Sequence, residues 1–277
     1  MKNVYPQIEN SFVYTCVSEE KWTYEQFVPE HILAWQISGE THIYHQQGNY
    51  ILRKNQILLA HRNQFAKTLK VPASDKEYRA VSIILKPDQL KKYAAANCID
   101  TDKRYTGKYH LILKPNEYLE SYFHSLVPYL EHPEKSNNRL AAVKLNEAIE
   151  LLLLIRPSLQ DFLFDFNDPH KIDLEEFMVK NFRFNAPLRN FAKLTGRSLA
   201  SFKRDFLKTF NSSPAKWLKE RRLSEAYYLI RQKKKKATDV YLDLGFENLS
   251  HFYTCFKKKY GRTPAESVTF KNGKNEY

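Results

Sequence analysis

The sequence predicts two domains of different class: an antiparallel β-sandwich or small barrel that ends in helices, then an all-α domain with two helix-turn-helix units joined by a long helix. Three observations predict this. Short β-branched and aromatic runs between Gly/Asn turns occupy residues 1–86. The hydrophobic period becomes helical at Pro87. A unit of about 50 residues occurs twice in the last third of the chain.

In the sandwich, Ile32 to Ile37 is an apolar run, Ser38-Gly39-Glu40 turns the chain and Thr41 to Tyr44 follows. Gln46-Gln47-Gly48-Asn49 turns it again before Tyr50 to Leu52, Ile57 to Ala60 and Val81 to Leu85. Pro87 to Asn97 reads as a helix with proline in its first turn. Residues 115–131 place Leu119, Tyr122, Phe123, Leu126 and Leu130 at helical spacing. Over 137–155, Ala141, Leu145, Ala148, Leu152 and Ile155 alternate steps of four and three, a coiled-coil-like seam. Such a seam serves either as a homodimer interface through 115–155 or as packing on the chain's own sheet. Asp165 to Lys171, with Asp168-Pro169-His170, breaks the pattern. The expected organisation is therefore 1–165 (strands 1–86, helices 87–155), a linker at 166–171, and a helical domain over 172–277.

Composition narrows the function. A hydrophobic fraction of 43% and a charged fraction of 27% are those of a globular protein. The densest apolar stretch, Ala148 to Ile155, is far too short for a membrane span. The start lacks the apolar core of a signal peptide, and Cys16, Cys98 and Cys255 have no paired spacing, so a reducing, cytoplasmic setting is expected. The net charge of +13 is uneven: +3 over 1–160 and +10 over 161–277. A polyanion is the expected partner of the basic part.

The repeat gives that partner its form. Phe191 to Gly196, then Phe202, Phe206 and Phe210, then Ser213-Pro214, matches Val240 to Gly245, then Phe252, Phe256 and Tyr260, then Thr263-Pro264. The offset is 49 before the turn and 50 after it. Each unit is a short helix, a glycine where the chain reverses, and a second helix with aromatics on one face. The units are expected at about 187–210 and 237–260, with Ser198 capping the second helix of the first. Opposite the aromatics lie Ala200, Ser201, Lys203, Arg204 and Lys208, with Arg197 and Ser198 at the turn. In the second unit they are Asn248, Ser250, His251, Tyr253, Thr254, Lys257 and Lys258. Side chains able to read base edges at the helix starts, flanked by cations for phosphates, suit the major groove of double-stranded DNA. Pro214 to Gln232 is the joining helix, and Lys233-Lys234-Lys235-Lys236 after it would meet phosphate.

At these residues the chain resembles the AraC/XylS family of bacterial transcription regulators. The resemblance rests on Phe177-Met178 with Asn181-Phe182, Phe202-Lys203-Arg204-Asp205-Phe206, and Ser213-Pro214-Ala215-Lys216-Trp217-Leu218. It continues in Arg221-Arg222-Leu223 with Ala226, Gly245-Phe246, Ser250-His251-Phe252, Phe256-Lys257-Lys258 and Gly261-Arg262-Thr263-Pro264. Ala237 stands where the family usually has isoleucine, and Tyr241 where it has alanine. Ile37-Ser38-Gly39-Glu40 and Leu52 to Leu59 resemble its cupin-like sensory domain. The resemblance implies a promoter-binding activator working with RNA polymerase on the nucleoid, controlled through its N-terminal domain by a small effector or a regulatory protein.

A metal-dependent cupin enzyme is the competing class. Its site needs a His-x-His pair, a carboxylate and a later histidine. His31, His42, His45 and His61 do not follow that order, and His42 and His45 would point to opposite faces of a strand. They are expected to be surface or turn histidines, with no metal and no cofactor. No nucleophile triad, phosphate loop or paired catalytic acids are present in the sequence, so no enzymatic activity is expected. Trp35, Tyr44 and Phe65 would line an effector pocket or fill the sandwich core, the core being favoured.

Overall fold

The computed structural model describes residues 7–8, 11–23, 26–45, 47–74, 77–114, 116–132 and 137–269. The residues read for a leader, Met1 to Pro6, lie outside them, as do Gln46 of the second turn and Pro115 at the head of a predicted helix. The chain divides into two compact units, Met1–Asp168 and Pro169–Tyr277.

The first unit has strands β1 (Gln7–Ile8), β2 (Phe12–Val17), β3 (Lys21–Trp22), β4 (Phe27–Val28), β5 (His31–Ser38), β6 (Glu40–His45), β7 (Gly48–Leu52), β8 (Ile57–Ala60), β9 (Gln64–Val71), β10 (Tyr78–Leu85) and β11 (His110–Leu113). Its helices are α1 (Pro87–Ala96), α2 (Glu117–Glu131), α3 (Asn138–Ile155) and α4 (Leu159–Leu163). One antiparallel sheet has the order β1-β2-β10-β5-β8-β11, the other β3-β9-β6-β7, with β4 beside β9. The first sheet is covered on both faces. Leu33, Trp35, Ile57 and Leu59 meet the helices, while Leu58 and Ala60 meet Ile43 and Leu52 of the second sheet. That is why Ile57-Leu58-Leu59-Ala60 is apolar throughout instead of alternating.

Several expectations need correction. β11 falls inside the region expected to be only helical, where it adds to the edge of the first sheet through His110↔Ala60 to Leu113↔Ile57. Four residues are too few to show a period. The helices also run past 155, into α4. The expected linker begins inside the first unit. The Arg62 guanidinium donates to the Asp165 carbonyl (2.7 and 3.1 Å) and to that of Asn167 (3.3 Å). Asp165 in turn accepts from the amides of Tyr105 and Asn167.

The histidines are not at the surface: His31, His45 and His61 are buried, and so is His110. The His31 and His61 rings meet edge to face at 4.6 Å and pack on Phe162. His31 Nδ1 accepts from the Arg62 amide, which leaves its proton on Nε2; His61 Nδ1 donates to the Arg62 carbonyl. A second proton on His31 would set one donor against another. His42, half-buried, bonds Glu40 instead (2.8 Å). Trp35 and Phe65 are buried against Phe123 and Phe27, and Tyr44 lies on Trp22.

The seam on α3 faces inward. Ala141, Leu145, Ala148 and Leu152 are buried in the core shared with α2 and the first sheet, and Ile155 packs against its edge. This corrects the dimer reading of those residues. The large apolar residues left exposed on α3 are different ones, Val143 (61%) and Leu154 (69%).

Two measurements follow from this packing. Leu145→Glu with Leu152→Glu should unfold the first unit instead of giving a folded monomer, since each buries a charge with no partner; circular dichroism and sizing distinguish the two. Acid should also destabilise this unit. Burial lowers His45 and His61 to about 4 and His110 to about 3, from an ordinary 6.5, and holds His31 well below it. Below pH 6.5 the unfolded chain takes protons that the folded chain refuses, so stability present at neutral pH is lost as pH falls towards about 4. Each such histidine contributes up to about 1.4 kcal/mol per pH unit. Melts from pH 7 to 4.5 should show the fall, and His61→Phe should make it shallower.

Candidate nucleic-acid interface

The second unit carries the entire formal charge of +13, and the first is neutral. It is built from α5 (Leu174–Asn181), α6 (Leu188–Leu194), α7 (Leu199–Phe210), α8 (Pro214–Arg231), α9 (Ala237–Val240), α10 (Leu249–Tyr260) and α11 (Pro264–Thr269). The two repeats form α6-turn-α7 and α9-turn-α10. Their turns pass through Gly196 (φ +65°) and Gly245 (φ +77°), conformations that exclude most side chains. A Cβ on Gly196 would also lie 2.3 Å from the His170 backbone.

The ends of α7 and α10 are made alike. Ser198 Oγ accepts from the Ser201 amide at the start of α7, and Asn248 Oδ1 from the His251 amide at the start of α10. Asn211 and Gly261 close them in left-handed conformations. Each helix buries its aromatics on α8. Phe206 and Phe210 meet Trp217 at 5.8 and 4.8 Å; Phe256 and Tyr260 meet Tyr227 at 6.2 and 4.6 Å. Trp217 and Tyr227 are ten residues apart, about 15 Å along a helix. The second helix-turn-helix differs at its start, where α9 is one turn long and half-buried Tyr241 ends it.

With the aromatics inward, Ala200, Lys203, Arg204 and Lys208 are exposed on α7, and Ser250, His251, Thr254, Lys257 and Lys258 on α10. Ser201 and Tyr253 are half-buried beside them. Arg204 is 67% exposed, with Ser201 Oγ at 3.3 Å and Asp205 Oδ1 at 3.6 Å. Ser198 and Asn248 are exposed, but their side chains are engaged as caps. Thr254 donates to the Ser250 carbonyl, and the Cys255 thiol lies 3.3 Å from His251 Nε2. Lys233 to Lys236 are exposed between α8 and α9.

Arg197 is the correction here. Expected to reach outward, it is turned in with a side chain only 7% exposed. It donates to Asp205 Oδ2 (3.1 Å) and to the carbonyls of Thr195 (2.7 Å) and Ile172 (3.0 Å). The hydrogen bond from Arg197, with Lys171 nearby, holds the Asp205 carboxyl below its ordinary range. Asp205 supplies the reason: it sits on the flank of α7 that meets the 170–172 segment, where carbonyls need a donor.

Arg222, part of the Arg221-Arg222-Leu223 motif, has a role that the sequence alone does not assign. It is half-buried on α8 and donates to Phe182 (2.7 Å), Phe184 (2.8 Å) and Gly245 (3.1 Å) carbonyls. Burial lowers it to about 10, so it remains charged at neutral pH. A signal exists: Leu218, Arg222, Ala226 and Ile230 share one i, i+4 row, and the other three are buried.

Comparison with known proteins agrees in both units. The ExsA N-terminal regulatory domain model matches residues 31–164, and a helix-turn-helix domain model matches 191–268. In both units the chain is similar to regulators of the AraC/XylS type. The HTH-type transcriptional regulator ExsA of Pseudomonas aeruginosa is 29% identical over 148 residues, 53% of this chain and 51% of ExsA. The virulence regulon transcriptional activator VirF of Yersinia enterocolitica is 31% identical over 123 residues, 43% of this chain and 45% of its own. The chain thus matches about half the length of these AraC/XylS relatives. Among solved structures, ToxT from Vibrio cholerae aligns over 95% of this chain and all of its own at 14% identity, with a TM-score of 0.43.

Because Arg197 is internal, Arg197→Ala should lower the melting temperature by several degrees and leave the salt dependence of any duplex binding unchanged. Thermal melts beside binding titrations at several salt concentrations test both halves of this expectation.

Proposed function

We propose that this chain is a sequence-specific, promoter-binding transcription activator and not an enzyme. It reads two adjacent major-groove segments with α7 and α10 and works with RNA polymerase on the nucleoid. One observation carries the reading. Two equally capped helices stand in tandem on one long helix, their aromatic faces spent on it and their opposite faces mainly polar and basic, with Leu207 exposed among them on α7. The charge of the whole chain resides in that unit. The activators among its relatives support the sign of regulation.

The interface residues in this proposal are Ala200, Ser201, Lys203, Arg204 and Lys208 on α7, and Ser250, His251, Tyr253, Thr254, Lys257 and Lys258 on α10. Ser198 and Asn248 act through the amides they orient. Control enters through the first unit, by a small effector or a regulatory protein. Among the described residues no group of three His, Cys, Asp or Glu is arranged to hold a metal. No described helix is long and apolar enough to cross a membrane.

The test uses the full chain and duplexes that it selects from a random pool. Arg204→Ala should cost about 1–3 kcal/mol of specific binding, mostly as lost discrimination. Lys208→Ala should weaken all sequences alike and lower the salt slope by about one. Phe206→Ala should act on folding, at a cost of roughly 3–5 kcal/mol. A folded chain that selects no duplex at low salt sinks the proposal; an Arg204→Ala protein with unchanged specificity removes α7 as the reader.

A further inference from the structure

A long helix fixes one end of each helix-turn-helix unit. α8 anchors the aromatic faces of α7 and α10, but exposed Lys233 to Lys236 separate α8 from α9. α10 itself rests on α8 through Tyr227 and through Lys259, which donates to the Glu220 carbonyl and to Ser224. A second connection is present. The segment 182–185, which follows α5, is fastened to α8 and to the second turn at once.

On the α8 side, Arg222 holds the carbonyls of Phe182 and Phe184, Arg183 pairs with Glu225, and the Arg221 guanidinium covers the Phe182 ring at 4.9 Å. On the other side, the same Arg222 guanidinium holds the Gly245 carbonyl, and Asn185 Nδ2 donates to Glu247 Oε1 at 2.8 Å. A Cβ on Gly245 would lie 2.7 Å from the Arg183 carbonyl and 2.9 Å from Arg222 Cζ, so the second turn is pressed against this segment. At its other end the segment continues from α5, whose Phe177 ring meets Phe191 of α6. The supporting helices of the first helix-turn-helix and the turn of the second are therefore linked through 182–185, independently of the 233–236 loop.

We propose that Arg222 is a positioning residue: with the 182–185 segment it sets α10 in register with α7, and so determines the spacing of the two boxes that the chain accepts. This rests on the reading of α7 and α10 as DNA readers. Arginine suits the role because its planar fork reaches three carbonyls in fixed directions, which the single ammonium of lysine does not. A strap of this kind makes two weak contacts act as one, because the second helix arrives already placed.

The experiment uses the full chain and a duplex that it selects from a random pool, compared with the same duplex cut to either box alone or lengthened by one or two base pairs between boxes. Each added pair turns the second box by about 35° and moves it by about 3.4 Å. Wild type should bind two boxes far better than one and lose most of that advantage with one added pair. Arg222→Lys should bind single boxes within about twofold of wild type, show a two-box advantage about tenfold smaller, and tolerate added pairs better. A merely destabilised protein would lose one-box and two-box binding together. If Arg222→Lys does not fold, Asn185→Ala with Glu247→Ala, at a half-buried and an exposed residue, cuts the same strap more gently and carries the test. A folded variant that keeps wild-type two-box advantage and spacing dependence overturns the inference, as does a wild type that protects one groove segment only. A wild type that binds no duplex at all overturns instead the reading on which the inference rests.

Discussion

The second unit depends on how two arginines are spent. Arg222 gives its guanidinium to three carbonyls, and Arg197 gives its own to two more and to Asp205. Carbonyls that follow helix ends and turns have no helical partner, and leaving them unpaired away from water is costly. A cation satisfies several at once through charge-assisted bonds, and the planar fork of arginine fixes the directions of approach. Gly245, where a Cβ would collide with Arg222, and Gly196, where it would collide with the 170–171 backbone, are the complementary requirements. Each turn is closed by an absent side chain on one strand of contact and an arginine on another.

This division changes how the basic composition is to be understood. A count of charges treats all cations alike, yet Arg197 and Arg222 are structural, and Lys259 reaches back to the Glu220 carbonyl and Ser224. What remains outward on α7 and α10 is a smaller set, arranged on the faces opposite the aromatics. The symmetry of those faces follows from α8, which offers Trp217 to one aromatic stack and Tyr227 to the other. Matching caps at Ser198 and Asn248 then start both helices in the same way.

The first unit solves a different problem. Its larger sheet needs cover on two faces; the smaller sheet supplies one and α1 to α4 the other. Imidazoles occupy positions where the strands end, held neutral by burial, and the backbone of Arg62 sets the tautomers of His31 and His61. Arg62 at the same time clasps Asp165 and Asn167, so the histidine pair and the last ordered turns of this unit share one residue.

Sequence by itself determined what depends on local chemistry and period. The two helix-turn-helix units were legible because glycine and aromatic spacing recur in register, and each of these acts within a few residues. The strands Ile32 to Ile37 and Ile57 to Ala60 were legible from their apolar runs and bounding turns. Tertiary structure alone decided the matters in which one residue type has two uses. Leu145 and Leu152 suit a partner helix or a sheet equally, and only the position of α2 and the first sheet made them core. His31 and His61 became interior because strands distant in sequence converge on Phe162. Arg197 and Arg222 turned inward because carbonyls from Ile172, Phe182, Phe184 and Gly245, up to 40 residues away in the case of Phe182, arrive beside them. A side chain's direction is set by which unpaired groups reach it, and that is a property of the assembled fold.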